Sequence, residues 1–206
     1  MTATTFDLFG TLGRVDRLDD PAAAVARELR ERGVSVPDDW ADAYTEPHVD
    51  APEGAEVPLP AHDARALASR GVDAPQNAAR RAVVAAFDPE VTVVDGAHDA
   101  VAAARDHGPV GVLSNTAVPE LARRVLVRAD LRGEFDAVVT SIACGWRKPD
   151  RRAFETIARQ LDCDPESLTH VGDDPRTDGG VERVGGTFVN VAEVPLTDLP
   201  AWLDSR

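Results

Sequence analysis

The sequence predicts an α/β fold in which a Rossmann-like parallel sheet is interrupted by an insertion made only of helices. Three observations lead to this expectation. Residues 4–9 form a short run of β-branched and aromatic side chains, which is typical of a buried strand. Residues 13–90 contain Ala-rich segments with apolar positions at helical spacing and no convincing strand. From residue 91 onward, short apolar runs alternate with helical segments, which indicates parallel strands joined by helical crossovers.

Glycine and proline residues mark the ends of the predicted elements before residue 91. Gly10 ends the first predicted strand. A helix predicted at residues 21–32 begins at Pro21, which suits a first helical turn, and stops before Gly33. Residues 47–60 contain four prolines and are predicted to form a loop. The other helices of the insertion are expected at residues 37–44, 61–70 and 75–87.

The elements after residue 90 complete the sheet. Strands are expected where apolar residues run without interruption, at residues 110–113, 137–140, 168–171 and 187–191. Helices are expected at residues 97–107, 118–129, 151–161, 177–184 and 196–203. This division predicts two domains, an α/β core of residues 1–12 and 91–206 and a helical domain of residues 13–90.

The chain is strongly acidic, and its basic residues are almost all arginine. The formal net charge is −14, with 24 Asp and 12 Glu against 21 Arg and one lysine, Lys148. Such a surface repels nucleic acid and anionic membranes, so neither is expected as a partner. Because the acids are scattered along the whole chain, we favour a solvated acidic surface, as in proteins of halophilic organisms, over a patch for a basic partner.

Several absences bear on the expected location of the protein. No apolar run approaches the roughly 18 residues of a transmembrane helix. The N-terminus has no basic region followed by an apolar run, so no signal peptide is expected. The two cysteines, Cys144 and Cys163, fit neither a disulfide framework nor a metal cluster. These features predict a reducing, cytoplasmic location.

The first candidate site residues lie at or beyond the carboxyl ends of predicted strands, where open α/β sheets bind their ligands. Asp7 ends the first strand, and the alternative is that it caps a turn. Ser114 and its neighbour Asn115 follow another strand and are suited either to binding an oxyanion or to capping the next helix. Lys148 offers a point charge for a phosphate, and it is the one lysine in a chain that otherwise uses arginine.

The fourth candidate stretch contains three carboxylates within six residues. Asp173, Asp174 and Asp178 come directly after the strand predicted at residues 168–171. Clustered carboxylates raise one another's pKa unless a cation neutralises them. Mg²⁺ binds to a few carboxylates and leaves room for water and a substrate oxygen. We therefore favour a metal site over an acidic surface turn.

Together these stretches resemble the motifs of the haloacid dehalogenase (HAD) superfamily of hydrolases. The matching segments are Asp-Leu-Phe-Gly-Thr-Leu at 7–12, Val-Leu-Ser-Asn-Thr at 112–116, Lys-Pro at 148–149 and Val-Gly-Asp-Asp at 171–174. The resemblance spans the whole chain. It implies a HAD-like core in which the strand of Asp7 lies between those ending at Leu113 and Val171, and it makes the helical insertion similar to the family's cap.

The resemblance also implies a role for each candidate residue. Asp7 would be the nucleophile that forms a covalent aspartyl intermediate, and Lys148 would neutralise charge between it and the substrate. Ser114 would bind the transferring group with Thr11 and Asn115 supporting the loops. The expected substrate-binding residues are Ser114, Asn115 and Phe9.

The implied cofactor is Mg²⁺, and the expected substrate is a small phosphate ester. Asp7, Asp173 and the backbone carbonyl of Phe9 would hold the ion. Asp178 would orient Lys148 or the water ligands of the metal, and Asp174 is a further candidate ligand beside Asp173.

Phe9 departs from the phosphatase pattern. Family phosphatases usually carry a second Asp there as general acid and base, a contribution of about 10²–10⁴-fold. The dehalogenase branch has an aromatic residue at this position but lacks the acidic metal motif.

Three functional hypotheses follow from these motifs. The first is an Mg²⁺-dependent phosphatase-like hydrolase, the second is a metal-independent 2-haloacid dehalogenase, and the third is a binding or regulatory protein of low activity. The three carboxylates favour the first.

Overall fold

The computed structural model describes residues 2–75 and 77–206. Met1 and Gln76, the latter within the helix predicted at residues 75–87, lie outside the described residues. The strands found in the described part are β1 (Ala3–Phe6), β2 (Gly13–Val15), β3 (Val91–Val93), β4 (Val110–Ser114), β5 (Ala137–Thr140), β6 (Leu168–Gly172) and β7 (Thr187–Asn190). Five of them form one parallel sheet in the order β5-β4-β1-β6-β7, and β2 and β3 form a separate antiparallel pair.

The strand that leads into Asp7 is central in the parallel sheet, as predicted. β1 pairs with β4 on one side, where Thr4 lies opposite Val110, and with β6 on the other, where Thr4 lies opposite Thr169. All four residues of β1 are buried, as expected for a strand covered on both faces of a parallel sheet. The predicted α/β class is therefore confirmed.

The first strand ends at Phe6, three residues earlier than predicted. The Asp7 N–H group still donates to Val171 O at 2.8 Å, as a continuing strand would. The Leu12 N–H group, however, donates back to Leu8 O at 3.1 Å and closes a turn. This local turn competes with the sheet, so Asp7 stands at the point where the chain leaves β1.

The helices largely follow the predicted segments. In chain order they are α1 (Pro21–Glu31), α2 (Trp40–Thr45), α3 (Leu59–Ser69), α4 (Ala78–Ala86), α5 (Ala97–His107), α6 (Leu121–Arg128), α7 (Ser141–Cys144), α8 (Arg151–Gln160) and α9 (Leu199–Asp204). The helix predicted at residues 177–184 is a 3₁₀ helix, Asp178–Val184. The short helix α7 was not predicted, because four residues are too few to establish a helical period.

Helices α1 to α4 of the insertion pack against one another. α1 and α3 both contact α4, and Leu29 of α1 and Val83 of α4 are fully buried. Trp40 Nε1 donates to Ala22 O at 2.9 Å and ties α2 to α1. The buried side chains of these helices are continuous with the apolar cluster that contains Leu8 of the core.

The expectation that residues 13–90 contain no strand is wrong. β2 pairs with β3 in antiparallel register, with Gly13 opposite Val93 and Val15 opposite Val91. A strand of three residues, one of them glycine, has no readable alternation, and its hydrogen bonds come from a partner that lies far away in the sequence. The chain enters the insertion through β2 and leaves it through β3, so this ribbon marks the base of the insertion. In the described residues, no helix is long and apolar enough to cross a membrane.

Candidate functional site

An ionic cluster of mostly buried residues lies at the edge where the carboxyl ends of the parallel strands meet. Asp7 follows β1, Asp173 follows β6, and Lys148 enters from the segment between α7 and α8. The Lys148 Nζ atom lies 2.7 Å from Asp7 Oδ1 and 2.6 Å from Asp178 Oδ1. One oxygen from each of Asp7, Asp173 and Asp178 lies within 4.8 Å of the others. The fold therefore brings together four residues predicted from the sequence.

Lys148 is held by both its side chain and its backbone. The residue is only 2% exposed, and a buried ammonium needs charged partners, which Asp7 and Asp178 supply. Asn115 Nδ2 donates to Lys148 O at 2.9 Å, and Lys148 N donates to Asn115 Oδ1 at 2.8 Å. This geometry fits the supporting role expected for Asn115. Both polar atoms of the Asn115 side chain are hydrogen-bonded to the Lys148 backbone, although Asn115 was expected to bind substrate.

Burial and mutual repulsion set the ionisation of the three carboxyl groups. Burial raises the pKa of Asp7, although Lys148 opposes this effect. Burial, followed by the nearby Asp178 carboxylate, raises the pKa of Asp173. Burial acts in the same direction on Asp178, but the contact with His170 and the charge of Lys148 hold its pKa well below the usual range. Three carboxylates thus face one ammonium, and a further cation would relieve their repulsion.

The arrangement of these oxygens suits a divalent cation. Mg²⁺ prefers carboxylate oxygens and keeps several positions for water and substrate. Asp173 is exposed, and its Oδ1 accepts from Thr11 Oγ1 at 3.4 Å, so Thr11 supports a candidate ligand. At Gly10, where φ is 94°, an added Cβ would collide with Asp173 Oδ2. The glycine leaves room for the Asp173 carboxylate at this point.

Asp174, which was also predicted to be a metal ligand, lies outside this group of oxygens. Its Oδ1 accepts from both N and Nε of Arg176 at 3.0 Å, and its Oδ2 accepts from Arg176 Nη2 at 3.0 Å. These contacts hold the pKa of Asp174 below its usual value. The backbone N–H of Asp174 points the other way and donates to Asp178 Oδ2 at 3.0 Å. Asp174 therefore orients Asp178 through its backbone.

Ser114 places a buried hydroxyl group at the end of β4. The residue is fully buried, and its Oγ has no hydrogen-bond partner among residues 2–75 and 77–206. Leaving such a group unpaired costs about 1–3 kcal/mol, which a ligand oxygen would recover. The alternative role in capping does not fit, because the next helix begins only at Leu121 with Glu120 in the capping position.

Comparison with protein families decides the class of the chain. The family model described as haloacid dehalogenase-like hydrolase matches residues 1–180. The chain belongs to this family. The resemblance inferred from the four motifs is confirmed.

Two curated relatives of this HAD-like hydrolase are both named Haloacid dehalogenase-like hydrolase domain-containing protein 3. The human protein is 39% identical over 82 residues, which cover 39% of this chain and 32% of the relative. The bovine protein is 34% identical over 116 residues, which cover 55% of this chain and 45% of the relative. The matched segments thus span less than half the length of either relative.

Solved structures show the same fold at low sequence identity. A HAD phosphatase from Thermococcus onnurineus matches with a TM-score of 0.56 and 20% identity, over 92% of this chain and 86% of that one. A 2-haloacid dehalogenase from Pseudomonas syringae pv. Tomato DC3000 matches with a TM-score of 0.65 and 17% identity, over 100% and 99%. A HAD-hydrolase from Bacillus subtilis, bound to magnesium, matches with a TM-score of 0.55 and 16% identity, over 91% and 86%. The shared fold therefore includes both phosphatases and dehalogenases.

Phe9 is half-buried in this HAD-like hydrolase. Its backbone forms an isolated bridge with Gly13, and its ring packs against the apolar cluster that contains Leu8 and Leu12. The ring offers no group that can give or take a proton. The structure thus explains the phenylalanine as a packing residue of the turn that follows β1.

His170 is a residue of the site that sequence reasoning missed. It is fully buried in β6, with Nε2 at 3.4 Å from Lys148 Nζ and 3.3 Å from Asp178 Oδ1. Its Nδ1 lies 2.8 Å from Thr5 Oγ1. Burial, followed by the charge of Lys148, lowers the pKa of His170. The sequence feature that could have identified His170 was its position within a strand predicted to be buried in the core.

Glu56 is the second residue that was missed, and it comes from the proline-rich loop of the insertion. The Ser141 hydroxyl donates to Glu56 Oε2 at 2.5 Å and accepts from Thr116 N at 2.8 Å. The Glu56 N–H also donates to Gly145 O at 2.9 Å. These bonds fasten the loop to the core between the segments of Ser114 and Lys148. No local pattern signals them, because Glu56 and Ser141 are 85 residues apart.

Proposed function

We propose that this HAD-like hydrolase is an Mg²⁺-dependent phosphatase acting on a small phosphate ester through an intermediate on Asp7. The observation that carries the proposal is the convergence of the Asp7, Asp173 and Asp178 oxygens within 4.8 Å. A site that only displaces halide from a singly charged acid gains nothing from three carboxylates, because they repel its anionic substrate. A site that holds a metal against a phosphate needs them.

Asp7 and Lys148 would carry the first chemical step. Lys148 holds Asp7 Oδ1 at 2.7 Å, which leaves Oδ2 to attack phosphorus in line with the ester oxygen. The new Oδ2–P bond forms as the P–O ester bond breaks, and the ester oxygen departs with the electron pair. The Ser114 hydroxyl would donate to a phosphoryl oxygen, and Lys148 would offset the charge that gathers between nucleophile and substrate.

The second step returns Asp7 to its starting state. A water molecule attacks phosphorus, the Oδ2–P bond breaks, inorganic phosphate leaves and the carboxylate is restored. When bound by Asp7, Asp173 and Asp178, Mg²⁺ would neutralise phosphoryl charge and polarise the phosphorus centre. Asp178 would keep Lys148 in place throughout, because it holds the ammonium at 2.6 Å independently of Asp7.

Phe9 makes the proposed reaction depend on the leaving group. With no carboxyl at this position, an alkoxide must take its proton from solvent, whereas p-nitrophenolate leaves without one. We expect the first chemical step to be about 10²–10⁴-fold faster with p-nitrophenyl phosphate than with a sugar phosphate of equal affinity. Equal rates of this step for the two esters would mean that another group supplies the proton.

A 2-haloacid dehalogenase is the second candidate, and Phe9 is the observation that favours it. In that reaction Asp7 would attack the carbon that bears the halogen, and halide would leave with the bonding electrons and without a proton. The similarity in fold to the Pseudomonas syringae dehalogenase is compatible with this alternative. The cluster of Asp173 and Asp178 around Asp7 argues against it.

One experiment separates the candidates. Nitrophenol release from p-nitrophenyl phosphate and chloride release from 2-chloropropionate are measured with Mg²⁺ and with EDTA, using wild type and Asp7→Asn. The proposal predicts Mg²⁺-dependent nitrophenol release that Asp7→Asn loses. Metal-independent chloride release supports the dehalogenase. No turnover of either compound, with the protein folded, supports the remaining hypothesis of a binding or regulatory protein.

A further inference from the structure

His170 is buried in the parallel sheet beside Lys148, and the proposed reaction assigns it no role. Strand pairing places it beside Thr5, because β1 and β6 are in register at these two residues. Its ring packs edge-to-face against Phe154, with the centroids 5.4 Å apart. The ring is thus fixed from two sides, and its two nitrogens face different partners.

The three protons of the Lys148 ammonium need three acceptors. Two of them point to Asp7 Oδ1 at 2.7 Å and to Asp178 Oδ1 at 2.6 Å. Within the described chain, the remaining polar atom in reach of Nζ is His170 Nε2 at 3.4 Å. A lone pair on Nε2 would accept the third proton and complete the set.

The opposite nitrogen of the ring supports that assignment. Nδ1 lies 2.8 Å from Thr5 Oγ1, and the Thr5 hydroxyl is 3.5 Å from the carbonyl oxygen of Thr169. If Nδ1 carries the proton, it donates to Thr5, and Thr5 donates onward to Thr169. Every buried donor in this series then has an acceptor, as buried polar groups require.

The other tautomer satisfies fewer groups. A proton on Nε2 would point toward Asp178 Oδ1, which lies 3.3 Å away. That oxygen already accepts from Lys148 at the shorter distance of 2.6 Å. The N–H of His170 would also face the ammonium, whose third proton would be left without an acceptor.

We propose that His170 is a positioning residue for Lys148: its Nε2 accepts the third ammonium proton, while Thr5 fixes the ring in the Nδ1–H tautomer. The Lys148 ammonium group then donates to three acceptors. When Asp7 Oδ2 bonds to the substrate and the carboxylate loses its charge, Asp178 and His170 still hold the ammonium. Lys148 would therefore keep its place in both steps of the reaction.

The tautomer can be measured without any substrate. The protein is prepared with ¹⁵N-labelled histidine, and the two ring nitrogens of His170 are identified by long-range proton–nitrogen correlation at one fixed pH. We expect Nδ1 to be protonated and Nε2 to be unprotonated in wild type and in Thr5→Ser, which keeps the hydroxyl. Thr5→Val removes the acceptor and should shift the ring toward the Nε2–H tautomer. Protonation of Nε2 in the wild type would overturn the proposal.

A matched pair of substitutions tests the effect on turnover, which rests on the proposed phosphatase function. In His170→Gln the amide oxygen reaches the position of Nε2, whereas in His170→Asn the side chain reaches only that of Nδ1. For p-nitrophenyl phosphate with Mg²⁺, we expect His170→Asn to lower kcat by about 10–100-fold with little change in KM. His170→Gln should recover most of that loss.

Thermal unfolding of both variants provides the control. Both place an amide in the same buried site, so a merely structural role would lower activity in proportion to stability and would not favour Gln over Asn. Equal kcat values for the two variants would contradict the positioning role. If the wild type shows no turnover, the proposed function fails, while the tautomer measurement still decides the hydrogen bonding of His170.

Discussion

The Nζ atom of Lys148 lies 2.7 Å from Oδ1 of Asp7, although 141 residues separate them in the chain. The contact exists because β1 and the segment after β5 end at the same edge of the parallel sheet. Asp178 adds a second carboxylate at 2.6 Å. The single lysine of an arginine-rich chain is thus used where a compact charge fits between two buried carboxylates.

Removing the Lys148 charge should destabilise the fold. Lys148→Met leaves Asp7 and Asp178 buried without their ammonium partner, and breaking a buried ion pair typically costs about 3–5 kcal/mol. We expect a loss of this order in the free energy of unfolding, measured by urea denaturation at pH 7 with EDTA present. Arg132→Met is the matched control, because Arg132 is exposed and should change stability by less than about 0.5 kcal/mol. Equal stability of the two variants would contradict the ionic role of Lys148.

Neutralising the adjacent acids one at a time tests the assignment of metal ligands. Asp173→Asn removes an oxygen of the cluster, whereas Asp174→Asn alters a side chain that is bound to Arg176. A ligand that binds only the folded state raises the melting temperature. Millimolar Mg²⁺ should raise it for wild type and for Asp174→Asn, and should have little effect on Asp173→Asn. A rise in melting temperature for Asp173→Asn but not for Asp174→Asn would show that Asp174, and not Asp173, is the ligand.

Asp63 should make stability fall as pH rises. Its carboxyl group is fully buried in α3, neither oxygen has a hydrogen-bond partner in the described part of the chain, and burial raises its pKa to about 8. The folded protein therefore holds a proton that the unfolded chain releases near pH 4, so stability is lost between about pH 4 and pH 8.

Asp63→Asn provides the test of this pH dependence. Between pH 5 and pH 8, the wild type should lose on the order of 3 kcal/mol more of its unfolding free energy than Asp63→Asn does. Urea denaturation at the two pH values measures this difference. Parallel changes in the two proteins would refute the assignment to Asp63.

Added salt should stabilise the protein. At a net charge of −14, self-repulsion opposes the compact state, and about 1 M salt shortens the Debye length to about 3 Å. We therefore predict that the melting temperature rises with KCl up to molar concentrations. A sucrose series of matched osmolality controls for effects other than screening. A flat or falling KCl curve would contradict the halophilic interpretation of the composition.

The parts of the molecule that could be predicted from the sequence are those encoded locally. The alternation of apolar runs and helices placed the strands after residue 90, and polar residues at strand ends identified Asp7, Lys148 and Asp173. Parallel pairing then required that such strand ends meet at one edge. The class of fold and the composition of the cluster therefore follow from short segments.

The parts that could not be predicted depend on contacts between distant segments. β2 is a strand only because β3 lies beside it, and Glu56 contacts Ser141 across 85 residues. Asp173 and Asp174 are identical in type and adjacent in sequence, and it is the contact with Arg176 that separates them. His170 looked like one more residue of a buried strand until its neighbours across the sheet were known.

The most direct test of the account is the time course of p-nitrophenyl phosphate hydrolysis at high enzyme concentration with Mg²⁺. Nitrophenolate needs no proton to leave, but Phe9 cannot activate the water of the second step, so the phosphorylated Asp7 should accumulate. We predict a rapid burst of nitrophenol equal to the enzyme concentration, followed by a slower phase, and a phosphoryl group on the peptide that contains Asp7 after acid quenching. Asp7→Asn should show neither. A linear time course with no phosphoryl group on Asp7, or a burst that persists in Asp7→Asn, would contradict the proposed aspartyl intermediate.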